Sequence, residues 1–257
     1  MNTVREPMAV PHHVPYEEID AVCIDVGGTL LGIDFNWVSE ELERLGVACA
    51  PEALARAEAA ARPRVSERLY SGDPPDDTFA FFLGSTLTNA LPVERHAIIP
   101  DLVFQLAPVL LPDGKGQRLW SAILSGTSDV LNELSQLGLR LAVVSNSDGM
   151  LEEGLKGLGL RRFFDAVIDS EIVGYAKPDP RIFEVALHAI GTAAARTVHV
   201  GDMYFADIIG ARRAGLHAVL LDPFGDWGHV DCVRMASLTE LSAALQRSHA
   251  SRSKSAV

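Results

Sequence analysis

Cysteine is scarce in this chain. Cys23, Cys49 and Cys232 are the three present among 257 residues, and no two form a CxxC pair. An odd number cannot all pair within one chain, so a disulfide framework is not indicated and a reducing, cytoplasmic setting is expected. Long hydrophobic runs are missing as well. No stretch approaches the ~20 apolar residues that span a bilayer, and MNTVREPMAVPHHVPYEE at the start carries no secretory-type apolar run. A soluble protein with no membrane partner is expected. Basic residues are outnumbered, 22 Lys and Arg against 34 Asp and Glu, for a formal charge of −12. Without a basic stripe to neutralise phosphates, nucleic acid is not an expected partner. The eight histidines form no HExxH and no Cys/His cluster, which argues against zinc.

Five short apolar runs supply what the composition withholds. AVCIDV (21–26), RLAVVS (140–145), AVIDSEIV (166–173), TVHVGD (197–202) and HAVLLD (217–222) are mostly continuous, as expected of strands buried on both faces of a parallel sheet. Helical patterns separate the last four. TSDVLNELSQLG sets Val130, Leu131, Leu134 and Leu137 on one face before Gly138. PRIFEVALHAIG opens with Pro180 and closes at Gly191, the asymmetry of a helix start and stop. ADIIGARRAG also ends in glycine. The alternation specifies an α/β fold with a doubly wound, Rossmann-like parallel sheet.

The first two strands are more than 110 residues apart, too far for one crossover. Val38, Leu42 and Leu45, then Phe79, Phe82, Leu83 and Leu87, then Ile98, Leu102 and Leu106 recur at helical spacing. The expected organisation is a core over 19–33 and 123–247, an α-helical cap inserted over 34–122, and loose tails at 1–18 and 248–257. Trp37, Phe79 and Phe82 could form a substrate cage, but read first as cap core. Arg56, Arg62, Arg64 and Arg68 could meet an anionic substrate from the cap, but read first as a solvated helix face pairing with nearby glutamates.

Ligands of such sheets bind beyond the carboxyl ends of the strands. Asp25 follows the first strand, Ser145 and Asn146 the second, Asp202 the fourth, and Lys177 lies in the loop GYAKPDP after the third. An aspartate facing phosphorus can act as a nucleophile. A divalent cation between Asp25 and Asp202 would offset their repulsion, and carboxylate, phosphate and water oxygens suit Mg²⁺. Lys177 and Ser145 would hold phosphoryl oxygens.

Four segments, IDVGGTL, VVSNSDG, GYAKPDPRIF and HVGDMYFADIIGARRAG, taken in that order at strand ends, make the chain similar to the haloacid dehalogenase superfamily, in its phosphatase-like branch with a helical cap after the first strand. The resemblance implies that Asp25 is nucleophile and metal ligand, with the main-chain carbonyl of Gly27 on the same metal. It implies that Asp202 is a metal ligand and that Asp207 binds the metal through water or braces the catalytic Lys177. Ser145, Asn146 and the backbone of the Gly28–Thr29 turn would cradle the phosphoryl group of a small phosphorylated metabolite. No feature of the sequence specifies an oligomeric state.

The chain departs from the family pattern at Gly27. The phosphatases read DxDGT there, and the second aspartate serves as acid and base. General acid–base help is worth roughly 10²–10⁴-fold, so its loss costs about 3–5 kcal/mol of barrier. Three readings follow: a hydrolase of phosphates with good leaving groups or with a borrowed acid (Asp34, Asp73, Asp76 or Asp77), a metal-independent dehalogenase, or a binding module with negligible turnover.

Overall fold

The computed structural model describes residues 13–70 and 76–255. Asp73 and most of the expected N-terminal tail lie outside that range. In chain order the elements are β1 (Ala21–Ile24), β2 (Leu31–Gly32), α1 (Phe35–Arg44), α2 (Pro51–Leu69), α3 (Thr78–Ala90), α4 (Ile99–Leu110), β3 (Ala122–Ile123), α5 (Thr127–Gln136), β4 (Arg140–Ser145), α6 (Leu151–Gly157), β5 (Ala166–Asp169), α7 (Ser170–Val173), α8 (Pro180–Ile190), β6 (Thr197–Gly201), α9 (Gly210–Arg213), β7 (His217–Leu221), β8 (Val233–Met235) and α10 (Leu238–Ser255). A π-helical turn, Tyr204–Ile209, leads into α9.

Six strands form one sheet in the order β5-β4-β1-β6-β7-β8, parallel throughout. The central strand explains its own composition. Val22 and Ile24 point into a core shared with Leu131 and Leu134 of α5 and Leu241 and Leu245 of α10. Ala21 and Cys23 point into the opposite core with Ile182, Phe183 and Ala186 of α8. Both faces are covered, so apolar residues run without alternation. Ile24 lies level with Val143 on one side and Val200 on the other. That register brings the ends of β1, β4 and β6 to one rim, where Asp25 and Asp202 follow their strands and Ser145 closes β4.

Helices α1 to α4 gather around a separate core of Trp37, Leu42, Leu54, Leu87, Leu102 and Leu106. Burying a side chain of leucine size contributes about 1.5–3 kcal/mol, so this interval carries its own packing. Asp34 starts α1 by accepting from the Trp37 amide at 3.1 Å, and Asp77 starts α3 through Ala80 at 2.8 Å. Between core and cap, β2 and β3 pair antiparallel, Leu31 against Ile123.

Three expectations need correction. AVIDSEIV is strand only to Asp169. The Asp169 carboxylate accepts from the Glu171 amide at 3.0 Å, and Gly174 closes the following turn at φ 75°, so a helix-start signal overrides the β-branched Ile172 and Val173. The C-terminal segment is no tail from 248, because α10 continues to Ser255; its Leu241 and Leu245 anchor it to the sheet. At the other end, Val14 is buried and Tyr16–Glu18 forms a short 3-10 turn. No described helix is long and apolar enough to cross a membrane.

Candidate active site

Lys177 is the hub of the rim. Its Nζ donates to Asp25 Oδ1 and to Asp207 Oδ1, each at 2.6 Å, and all three side chains are buried. Asp207 is fully engaged. Its Oδ1 also faces His199 Nε2 at 3.0 Å, and its Oδ2 accepts from the Met203 amide at 2.9 Å. Its carboxylate packs so tightly on the end of β6 that any Cβ at Gly201 would overlap it. This geometry is that of a brace for Lys177. Burial works against the charge on Asp207, yet Lys177 and His199 outweigh it and hold the carboxyl below its usual range. Burial likewise disfavours charge on Lys177, and Asp207 and Asp25 outweigh it to raise that pKa.

Asp202 faces Asp25 from the end of β6. Oxygens of Asp25, Asp202 and Asp207 lie within 4.8 Å of one another. The Gly28 turn presses against Asp202, at φ 70° and with no room for a Cβ, so only glycine fits there. From the cap, Arg62 of α2 reaches Asp202 Oδ2 at 3.3 Å and is held by Glu58 at 2.9 and 2.7 Å. Burial pushes the pKa of Asp202 well up, with Asp25 adding to it and Arg62 opposing. Burial raises Asp25 too, against the pull of Lys177. Four carboxyl groups thus meet two cations, and a further cation would offset the cost of ionising Asp25 and Asp202 in a buried place. A hard, oxygen-lined, anionic pocket of this kind fits Mg²⁺.

The anion-binding candidates divide. Thr29 is buried, and its hydroxyl has no hydrogen-bond partner. Buried polar atoms are rarely left so, and Thr29 lies on the wall of the same cleft as Asp25, Gly27, Gly28 and Ser145. Asn146 does something else. Its Oδ1 accepts from the Lys177 amide at 2.7 Å and its Nδ2 donates to the Lys177 carbonyl at 3.0 Å, which positions the lysine. Gly27 sits in the turn beside Asp25, paired by a β-bridge to Leu31.

None of the suggested acid donors is placed at the site among the described residues. Asp34 and Asp77 are spent on capping helices, and Asp76 is exposed outside the cleft. The arginines of α2 need correction as well. Arg62 pairs with Glu58 as expected but is half-buried at the rim and not solvated, and Arg56 makes a two-pronged pair with Asp226 of the core at 2.8 and 2.7 Å. Trp37 is cap core as expected, but Phe79 and Phe82 are half-buried and line the cleft together with Trp120. Residue spacing singled out Arg62 without placing it at the rim and did not flag Trp120, because the cap brings both in by tertiary packing. His199 did leave a signal, a lone polar residue inside an apolar strand.

Comparison with known proteins fits this geometry. The family model described as haloacid dehalogenase-like hydrolase matches residues 19–215. Haloacid dehalogenase-like hydrolase domain-containing protein 3 of Homo sapiens is 44% identical over 119 residues, 46% of this chain and 47% of that protein. The glyceraldehyde 3-phosphate phosphatase of Methanothermobacter thermautotrophicus is 42% identical over 97 residues, 37% of this chain and 43% of that one. The chain spans about half the length of the curated relatives it matches. The structure of the HAD-hydrolase YfnB from Bacillus subtilis, bound to magnesium, superposes with a TM-score of 0.61 over 88% of this chain and 98% of that one, at 20% identity, a likeness of fold. With a family match over most of its length and that family's fold, the chain belongs to the haloacid dehalogenase-like hydrolases.

Proposed function

We propose that this protein is a phosphatase-type hydrolase that takes a phosphoryl group onto Asp25. The observation that carries the reading is the Lys177–Asp25 contact at 2.6 Å beside Asp202, in a cleft whose wall includes the unpartnered Thr29 hydroxyl. Asp25, Asp202 and the main-chain oxygen of Gly27 are the groups that would hold Mg²⁺, which when bound supplies positive charge against the phosphate and keeps the two carboxylates ionised. Lys177 favours the ionised form of Asp25 against the opposing effect of burial and orients it for attack on phosphorus, and its charge opposes that on the phosphoryl oxygens. Asp207 and Asn146 keep Lys177 in place. Thr29 and Ser145 offer hydroxyls to the same oxygens. The phosphatase name of a relative with 42% identity supports the reaction class.

The test is phosphate release from acetyl phosphate and 4-nitrophenyl phosphate, with Mg²⁺ and with chelator. Metal-dependent release that disappears in Asp25→Asn is the expected result. Halide release from a 2-haloacid in the presence of chelator would replace this reading with the dehalogenase. No release from any compound, together with a metal-induced rise in melting temperature, would replace it with the binding module.

A further inference from the structure

The cleft above Asp25 is large and greasy. Its volume is about 1420 Å³, beyond the ~300–1,000 Å³ of a small-molecule pocket. On the cap side Phe79, Phe82 and Trp120 form one aromatic wall, with ring centroids 6.2 to 6.4 Å apart. Trp120 reaches the nucleophile turn. A Cβ at Gly27 would lie 3.3 Å from the indole Nε1, so an aromatic edge stands where an acid–base side chain would project.

The rest of the wall offers no replacement acid among the described residues. Its other carboxyls are Glu58, Asp148, Glu153, Asp202 and Asp207. Glu58 and Asp202 are held by Arg62, Glu153 by Lys156, and Asp207 by Lys177. Asp148 accepts from the amides of Gly116 and Met150. Tyr70 also lines the cleft, but burial and the nearby Asp207 push its phenol up to about 12, a poor match to neutral pH. With no such acid among the described residues, the site favours a leaving group that departs as a stable anion, and an aromatic surface is ready to receive it.

Resting on the hydrolase reading above, we propose that the substrates are aryl phosphates, whose ring lies against Phe79, Phe82 and Trp120. In the first step an Asp25 oxygen bonds to phosphorus and the aryl–oxygen–phosphorus bond breaks, with the electron pair leaving on the aryloxide. In the second, water adds to phosphorus and the Asp25–phosphorus bond breaks. Carboxylate returns, hydrogen phosphate carries one proton of the water, and the aryloxide or solvent takes the other.

Four phosphates separate ring from leaving group, all assayed with Mg²⁺: 4-nitrophenyl phosphate, acetyl phosphate, 2-phenylethyl phosphate and glycerol 3-phosphate. The expected kcat follows the leaving group, with the first two at least a hundredfold above the last two. The expected KM follows the ring, with the first and third at least tenfold below the others. Phe82→Ala should raise KM for the ring-bearing pair at least tenfold relative to the ringless pair. Where the poor substrates turn over too slowly, equilibrium binding of 2-phenylethyl and glycerol 3-phosphate to Asp25→Asn gives the ring comparison. Turnover of acetyl phosphate with no ring advantage in KM or binding would overturn the aryl assignment and leave the hydrolase reading standing. Equal kcat for alkyl and nitrophenyl esters would overturn the leaving-group argument. No turnover of any of the four would overturn the hydrolase reading itself.

Discussion

Asn146 grips the backbone of Lys177 from both sides, accepting from its amide at 2.7 Å and donating to its carbonyl at 3.0 Å. The Lys177 ammonium is therefore aimed by a residue that, on the proposed function, need not touch substrate. Asn146→Ala should lower kcat/KM by about 10–100-fold, since small misplacements of a reacting group cost that much. It should also cost about 1–3 kcal/mol of stability through the two abandoned backbone groups. A pure stability effect would leave the activity per folded molecule intact, so kcat measured well below the melting transition decides the matter.

Metal and protons should compete for the same oxygens. Burial raises the carboxyl pKa of both Asp25 and Asp202. Groups shifted upward contribute stability that is fully present below the unfolded value of 3.8 and lost as pH rises through the folded value. At pH 7.5 these carboxylates are at their most costly, and Mg²⁺ has the most to offset. Mg²⁺ should raise the melting temperature, by the equivalent of about 2.7 kcal/mol at a hundredfold excess over Kd. The rise should shrink toward pH 5 and should be smaller in Asp202→Asn. Thermal scans at the two pH values check it; a pH-independent rise would place the metal elsewhere.

Gly201 is set by the carboxylate beside it. With no space for a methyl group against Asp207, Gly201→Ala must displace that brace. The expected cost is about 1–3 kcal/mol from overpacking, and the metal-saturated kcat should fall as Lys177 loses its support. Denaturant midpoint and kcat measured on the same preparation test both halves.

Restoring the absent acid should take two changes. In Gly27→Asp the new Cβ would sit 3.3 Å from Trp120 Nε1, so the carboxylate cannot take its place unless the indole yields. Alkyl phosphate turnover should gain little in the single variant and more in Gly27→Asp/Trp120→Phe, toward the ~10²-fold lower end of acid–base help. A full gain in the single variant would show that Trp120 gives way freely.

Strand-end chemistry was legible in the sequence because it is local. Asp25, Ser145 and Asp202 each end an apolar run, and parallel register then puts them on one rim. Residues of the cap were not legible in that way. Arg62 and Glu58 look like an ordinary i, i+4 surface pair until α2 is packed against the end of β6. Phe79 and Phe82 share the helical stripe of Leu83 and Leu87, yet only the leucines are buried in the cap core. The pairs β2 and β3 are two residues each, too short for any periodic signal.

The ribbon of β2 and β3 has a consequence for how such a protein can change. The chain departs from the sheet domain at Leu31–Gly32 and comes back at Ala122–Ile123, side by side in register. Both ends of the inserted helical unit are thus stitched at one seam, a few ångströms apart. A different insert with matching ends could be grafted onto that seam without disturbing Asp25, Lys177 or Asp202, which would let the helical unit be exchanged while those three side chains stay as they are.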